Sequence, residues 1–219
     1  MLKNLRDTSA NKQSIMKIIQ EKDQQPVLPE REGYVAVEKT VNAVSINIVT
    51  LIMGLPLLAV ATIAHFFLWK DAMMELFNSL RFWLVLAVGI LVSCFLLMFL
   101  FELFHGIAWC AMSRLPLNRM RFGMAGGGLL FQCRIDGELL TKREYVRGLI
   151  IPDLIFAAVL LALGLCLNLL LATFLGSIVL MCTVGDIMIA SSVRGEREDT
   201  LVYIHPDQAG VYAYHNETE

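Results

Sequence analysis

Three ionisable residues stand in stretches of this chain that otherwise read as hydrocarbon. Glu102 and His105 interrupt the apolar run Leu96 to Met112, and Asp186 lies in the run that ends at Val193. A carboxylate or an imidazole at membrane depth is costly, so such residues point to function. Glu102 and His105 are three apart and share one face of a helix. His105 stands nine residues before Arg114 and Asp186 eight before Arg194, which at helical rise puts both ~12–14 Å from their basic flanks. At matched depth they can meet, and Gly106 and Gly185 are small enough to let neighbouring helices approach closely. That combination describes a cytoplasm-facing pocket between the second and fourth helices. Two plainer readings stay open: an ion pair facing a water-filled crevice, and a bridge from Asp186 to Arg194.

The elements that must hold these residues follow from composition and hydropathy. Of 219 residues, 57% are hydrophobic and 17% charged, and a mean hydropathy of +0.63 exceeds what a soluble domain can bury. Four runs are apolar enough to cross a bilayer, near 44–69, 82–112, 149–166 and 169–193, the last two forming a hairpin whose turn falls between Gly164 and Asn168. Gly54 and Pro56 predict a bend in the first. The expected fold class is an all-α integral membrane protein with four transmembrane helices and small cytoplasmic β-like insertions. Residues 1–40 read as a polar cytoplasmic arm, 41–193 as the membrane domain and 194–219 as a cytoplasmic tail. Within the arm, 14–20 is an amphipathic helix candidate. No apolar core or cleavage site of a secretory signal is seen there, so the chain is expected to keep its N-terminus.

The connection 113–148 carries Arg114, Arg119, Arg121, Arg134, Lys142, Arg143 and Arg147, whereas Lys70 and Arg81 alone flank the loop between the first two spans. The basic connection is therefore placed in the cytoplasm, and four spans put both termini there. Within it, 120–133 suits short strands around the Gly126-Gly127-Gly128 turn, and Thr141-Lys142-Arg143-Glu144 fits a capping box that starts the third helix. That glycine run lacks the lysine and hydroxyl residue of a phosphate loop. Thr200 to His205 and Val211 to Tyr214 read as a β-hairpin, with His205 a turn residue. A net charge of −2 and the absence of a long basic run argue against nucleic acid as a partner. Membrane lipid is the expected partner, and oligomeric state is left open. Cys94, Cys110, Cys133, Cys166 and Cys182 form no metal-binding or disulfide spacing and read as small core residues.

The run Phe101-Glu102-Leu103-Phe104-His105-Gly106 resembles the HExxHG element that a membrane helix carries in the bacterial zincin-peptidase membrane family, which is similar in style to site-2 proteases. Arg121-Phe122-Gly123, the pair Gly185-Asp186 and the tail His205-Pro206-Asp207-Gln208-Ala209-Gly210 resemble the same family in order and spacing, over roughly Val41 to Tyr214. The resemblance implies a bacterial cytoplasmic (inner) membrane protein whose zinc is held by histidines and a late aspartate while a glutamate activates water. It assigns His105 and Asp186 as ligands and Glu102 as the base, with a membrane protein or peptide as substrate.

Phe101 stands where the first histidine of that element belongs, and a phenyl ring cannot bind a metal. Three accounts follow. Asp153, at compatible depth, supplies the missing ligand; it also follows Pro152 in what reads as the first turn of a membrane helix, where the dipole stabilises a carboxylate without any metal. Alternatively Glu102 itself coordinates as a Glu-x-x-His pair. In the third, the chain is a pseudoprotease that binds or scaffolds in the membrane, and the polar residues only fix helix packing. His65, beside Phe66, Phe67 and Trp69, reads as part of an interfacial aromatic belt.

Overall fold

The computed structural model describes residues 28–77 and 79–217; the helix candidate at 14–20 lies outside them. Strand β1 (Tyr34–Val41) leads into helix α1 (Ala43–Leu68), followed by the short α2 (Lys70–Phe77) and by α3 (Leu80–Ser113). A 3-10 turn at Leu117–Arg119 precedes β2 (Met120–Ala125), β3 (Leu130–Ile135) and β4 (Leu140–Thr141). Helices α4 (Lys142–Leu167) and α5 (Leu170–Ser191) form a hairpin, and β5 (Leu201–Ile204) and β6 (Ala209–Asn216) close the chain.

Local chemistry sets the helix boundaries. Asn42 caps α1 by accepting from the N–H groups of Val44 and Ser45. Thr141 and Glu144 form the expected capping box on α4: the Glu144 N–H donates to Thr141 Oγ1 at 3.2 Å, and the Thr141 N–H to Glu144 Oε2 at 2.8 Å. Asn168 ends α4 in the left-handed region, φ 55°, a conformation that asparagine tolerates better than most residues. Helix α1 runs on through Pro56.

The helices α1, α3, α4 and α5 are long and apolar enough to cross a membrane. They bury little of that apolar surface against one another: Phe67 on α1 is 72% exposed, and Leu91 and Phe95 on α3 are 74% and 72% exposed. An apolar surface of this extent needs another solvent than water. Helix α5 is the hub, packed along α4 and α1, whereas α3 leans mainly on α4 and β3 and hardly touches α1. Close approach depends on glycine. A Cβ at Gly185 would run into Thr50 of α1, and one at Gly106 into Met120 and Cys133, so the second position lets the β2–β3 hairpin lie directly on α3.

The four-stranded sheet has the order β1-β6-β5-β4 and is antiparallel throughout, while β2 and β3 pair alone. The expected tail hairpin is β5–β6. Its partner β1 comes from the segment that reads as a polar arm, with Ala36 opposite Tyr214 and Val41 opposite Ala209. The main core lies where the sheet meets the ends of the helices, around Trp109, Leu140, Tyr145, Val193, Val202 and Val211. Trp109 stacks on Tyr145 at 5.9 Å and donates its indole N–H to the Tyr145 carbonyl.

His205 holds the β5–β6 turn through its ring: Nδ1 accepts from the Asp207 and Gln208 N–H groups at 3.0 and 2.8 Å. Burial lowers its pKa, partly offset by the Glu38 and Asp207 carboxylates. A depressed histidine contributes stability that is present above its unfolded value, near 6.5, and is lost as pH falls toward the lower folded value. Acidification from pH 7 to 5 is therefore expected to lower the hydrogen-exchange protection factors of the Asp207 and Gln208 amides, each taken against the slower intrinsic rate at the lower pH, while β6 stays protected. Unchanged protection at both amides would show that the ring does not hold the turn.

Candidate metal centre

Each polar residue arrives from a different helix. Helix α3 brings Glu102 and His105 to one face, α4 brings Asp153 and α5 brings Asp186. His105, Asp153 and Asp186 each offer a ligand atom, and these atoms lie within 4.8 Å of one another. The contact between His105 Nε2 and Asp153 Oδ1 is 2.6 Å. All three side chains are buried, at 1%, 1% and 8% exposure. Glu102 is set slightly apart: its Oε2 lies 3.8 Å from His105 Nδ1 and accepts from the backbone N–H of Cys133 at 2.6 Å.

Burial leaves several polar atoms unpaired. His105 Nδ1, Asp153 Oδ2 and Asp186 Oδ2 are inaccessible to solvent and make no hydrogen bond among the described residues. Such atoms are expensive unless something satisfies them. Nor does any Lys or Arg form an ion pair with these carboxylates among the described residues, so three acidic groups surround one imidazole without a cationic side chain. A divalent cation fits both deficits, since it accepts several lone pairs and balances buried negative charge. Bonds of ~2.1 Å at tetrahedral angles set ligand atoms about 3.4 Å apart, so the side chains would close in on a bound ion.

The surroundings limit access. A cavity of about 300 Å³ lies against the centre, with Glu102 and Asp186 on its wall together with Leu97, Phe101, Cys133 and Cys182, while His105 and Asp153 stand behind them. Phe101 sets its ring edge-on to the His105 imidazole, centroids 4.7 Å apart, and so packs the place from which a histidine one turn earlier would reach the metal. Burial, with the Glu102 carboxylate and Cys110 adding to it, pushes the Cys133 thiol up to about 12. Without a metal to displace its proton, the thiol is a poor nucleophile.

Three readings from the sequence change here. Asp153 is not in a first helical turn, because the capping box at Thr141 starts α4 ten residues before Pro152 and the helix continues through the proline. Stabilisation by the N-terminal dipole, which fades beyond the first turn, therefore does not account for its carboxylate. His65 is not in an exposed aromatic belt. It is fully buried, with Nδ1 2.8 Å from Thr173 Oγ1; the hydroxyl on α5 offers a partner that a lipid-facing position would lack. The bridge from Asp186 to Arg194 is not among the ion pairs of the described residues.

One functional contact had no sequence signal. The N–H of Cys133 that holds Glu102 is a backbone group, so no residue type marks it, and it depends on how the β2–β3 hairpin docks over Gly106. A family model described as "Putative zincin peptidase" matches residues 94–201, a segment that contains Glu102, His105, Asp153 and Asp186. In the comparisons with curated proteins and with solved structures, nothing matches.

Proposed function

We propose, from the match of residues 94–201 to the Putative zincin peptidase family, that the chain is a multi-pass membrane metallopeptidase hydrolysing peptide bonds near the cytoplasmic face of a bacterial inner membrane. The observation that carries this reading is the buried convergence of His105, Asp153 and Asp186, with Glu102 beside them. Asp153 takes the place of the histidine that Phe101 cannot be. Three protein ligands and an open position are what a catalytic centre of this kind requires.

A bound cation, zinc by the family's description, supplies Lewis acidity and an acidified water. Glu102 is the general base. The Cys133 N–H fixes its Oε2, leaving Oε1 to take a proton from the attacking water and pass it to the leaving nitrogen as the C–N bond breaks. Water's hydroxyl ends on the carbonyl carbon and its proton on the amine, so the carboxylate is regenerated.

The strand order supports the topology. Because β1, β4 and the tail strands share one sheet, the N-terminal segment, the basic connection and the tail lie on one side of the helices, as an even number of crossings demands. The basic residues of the connection make that side cytoplasmic.

A second reading, a pseudoprotease that scaffolds in the membrane, draws on the His105–Asp153 hydrogen bond, which can also serve as a packing contact. Metal content per chain separates the two. The metallopeptidase reading expects close to one divalent ion per purified chain and its loss in His105→Ala. A chain with no bound metal after purification in metal-supplemented buffer would favour the scaffold.

A further inference from the structure

The metal reading leaves open which ion the centre prefers, and the donor set speaks to that. We propose that this is an oxygen-rich centre that binds Mn2+ with an affinity close to its affinity for Zn2+, an inference that rests on the metal-centre reading above.

The converging group holds one imidazole and two carboxylates, and no sulfur belongs to it. Phe101 occupies the position from which a second imidazole would come, and its ring is committed to an edge contact with His105. Carboxylate oxygens suit Mn2+, whereas imidazole and thiolate favour zinc. The number of available oxygens points the same way. Asp153 Oδ2 and Asp186 Oδ2 are both buried and unbonded among the described residues. A tetrahedral zinc centre uses one oxygen per carboxylate and leaves the second to a hydrogen-bond donor. Here Asp153 Oδ1 meets His105 Nε2 at 2.6 Å, while no donor among the described residues answers Asp153 Oδ2 or Asp186 Oδ2, so these two oxygens are left for an ion. A donor set of two carboxylates and one imidazole is closer to the oxygen-rich sets that suit Mn2+ than to the nitrogen and sulfur sets that suit zinc. With both carboxylates ionised, their charge matches a divalent ion, and Glu102 remains the base nearby.

The test uses the full chain in detergent, stripped with chelator and titrated separately with MnCl2 and ZnCl2. The amplitude of the free Mn2+ electron paramagnetic resonance signal reads Mn2+ binding directly, and competition by Zn2+ gives the ratio of the two dissociation constants. Expected are one Mn2+ site per chain and a ratio within about a hundredfold. In Phe101→His, which restores an imidazole, zinc is expected to gain tenfold or more while Mn2+ changes little. If Phe101→His does not fold, the ratio in the unaltered chain decides alone. Zinc bound at one per chain with no Mn2+ taken up at millimolar concentration would overturn the proposal while leaving a metal centre in place. Neither ion bound would overturn the metal-centre reading itself.

Discussion

Asp153→Asn is expected to lower metal affinity by more than about a hundredfold, since even partners behind the ligands of a metal site are worth ten- to hundredfold. The exchange is nearly isosteric and keeps a group able to hydrogen-bond His105, at 2.6 Å in the unaltered chain, so packing between α3 and α4 changes little. Metal loss with unchanged thermal unfolding of the chelator-stripped forms is the signature of a ligand. Asp153→Ala behaves differently, because it also leaves His105 buried without its partner, at a cost of about 1–3 kcal/mol. If Asp153→Asn retains metal at the level of the unaltered chain, the third ligand is another group and the reading of the centre must change.

Glu102→Gln is expected to reduce peptide hydrolysis by ~10²–10⁴-fold, the usual contribution of a positioned general base, while metal content stays the same. The glutamine carbonyl can still accept from the Cys133 N–H, which preserves the seat of the β2–β3 hairpin on α3. Two assays on one variant therefore discriminate sharply. Loss of activity with metal retained identifies a base. Loss of both identifies Glu102 as a ligand, the arrangement in which a Glu-x-x-His pair grips the ion. Cleavage by the variant at the unaltered rate would remove Glu102 from the mechanism.

Much of the scaffold was legible because hydrocarbon patterning and capping chemistry are local. The apolar runs, the Thr141–Glu144 box and the β5–β6 hairpin each depend on residues close together in sequence. Glu102, His105 and Asp186 stood out because their flanks were apolar, and the spacing to Arg114 and Arg194 matched their depth before any packing was known. What stayed hidden depends on contacts between distant segments. Strand β1 alternates weakly and carries Glu38 and Lys39, so only its pairing with β6 marks it as part of a sheet. Pro152 suggested a helix start, but the earlier cap and continuous packing against α5 carry the helix through it. His65 is buried because Thr173, more than a hundred residues away, answers its ring.

The strand order also sets a timetable for biogenesis. Residues of β1 leave the ribosome before the four long helices and those of their partner β6 after them. At ~5–20 residues per second, β1 waits roughly 10–30 s without its neighbour. For that interval its apolar residues, among them Val35 and Val37, have no sheet to join, and they are open to a chaperone or to the bilayer surface. Pairing of β6 with β1 thus closes the sheet only after all four long helices have been made.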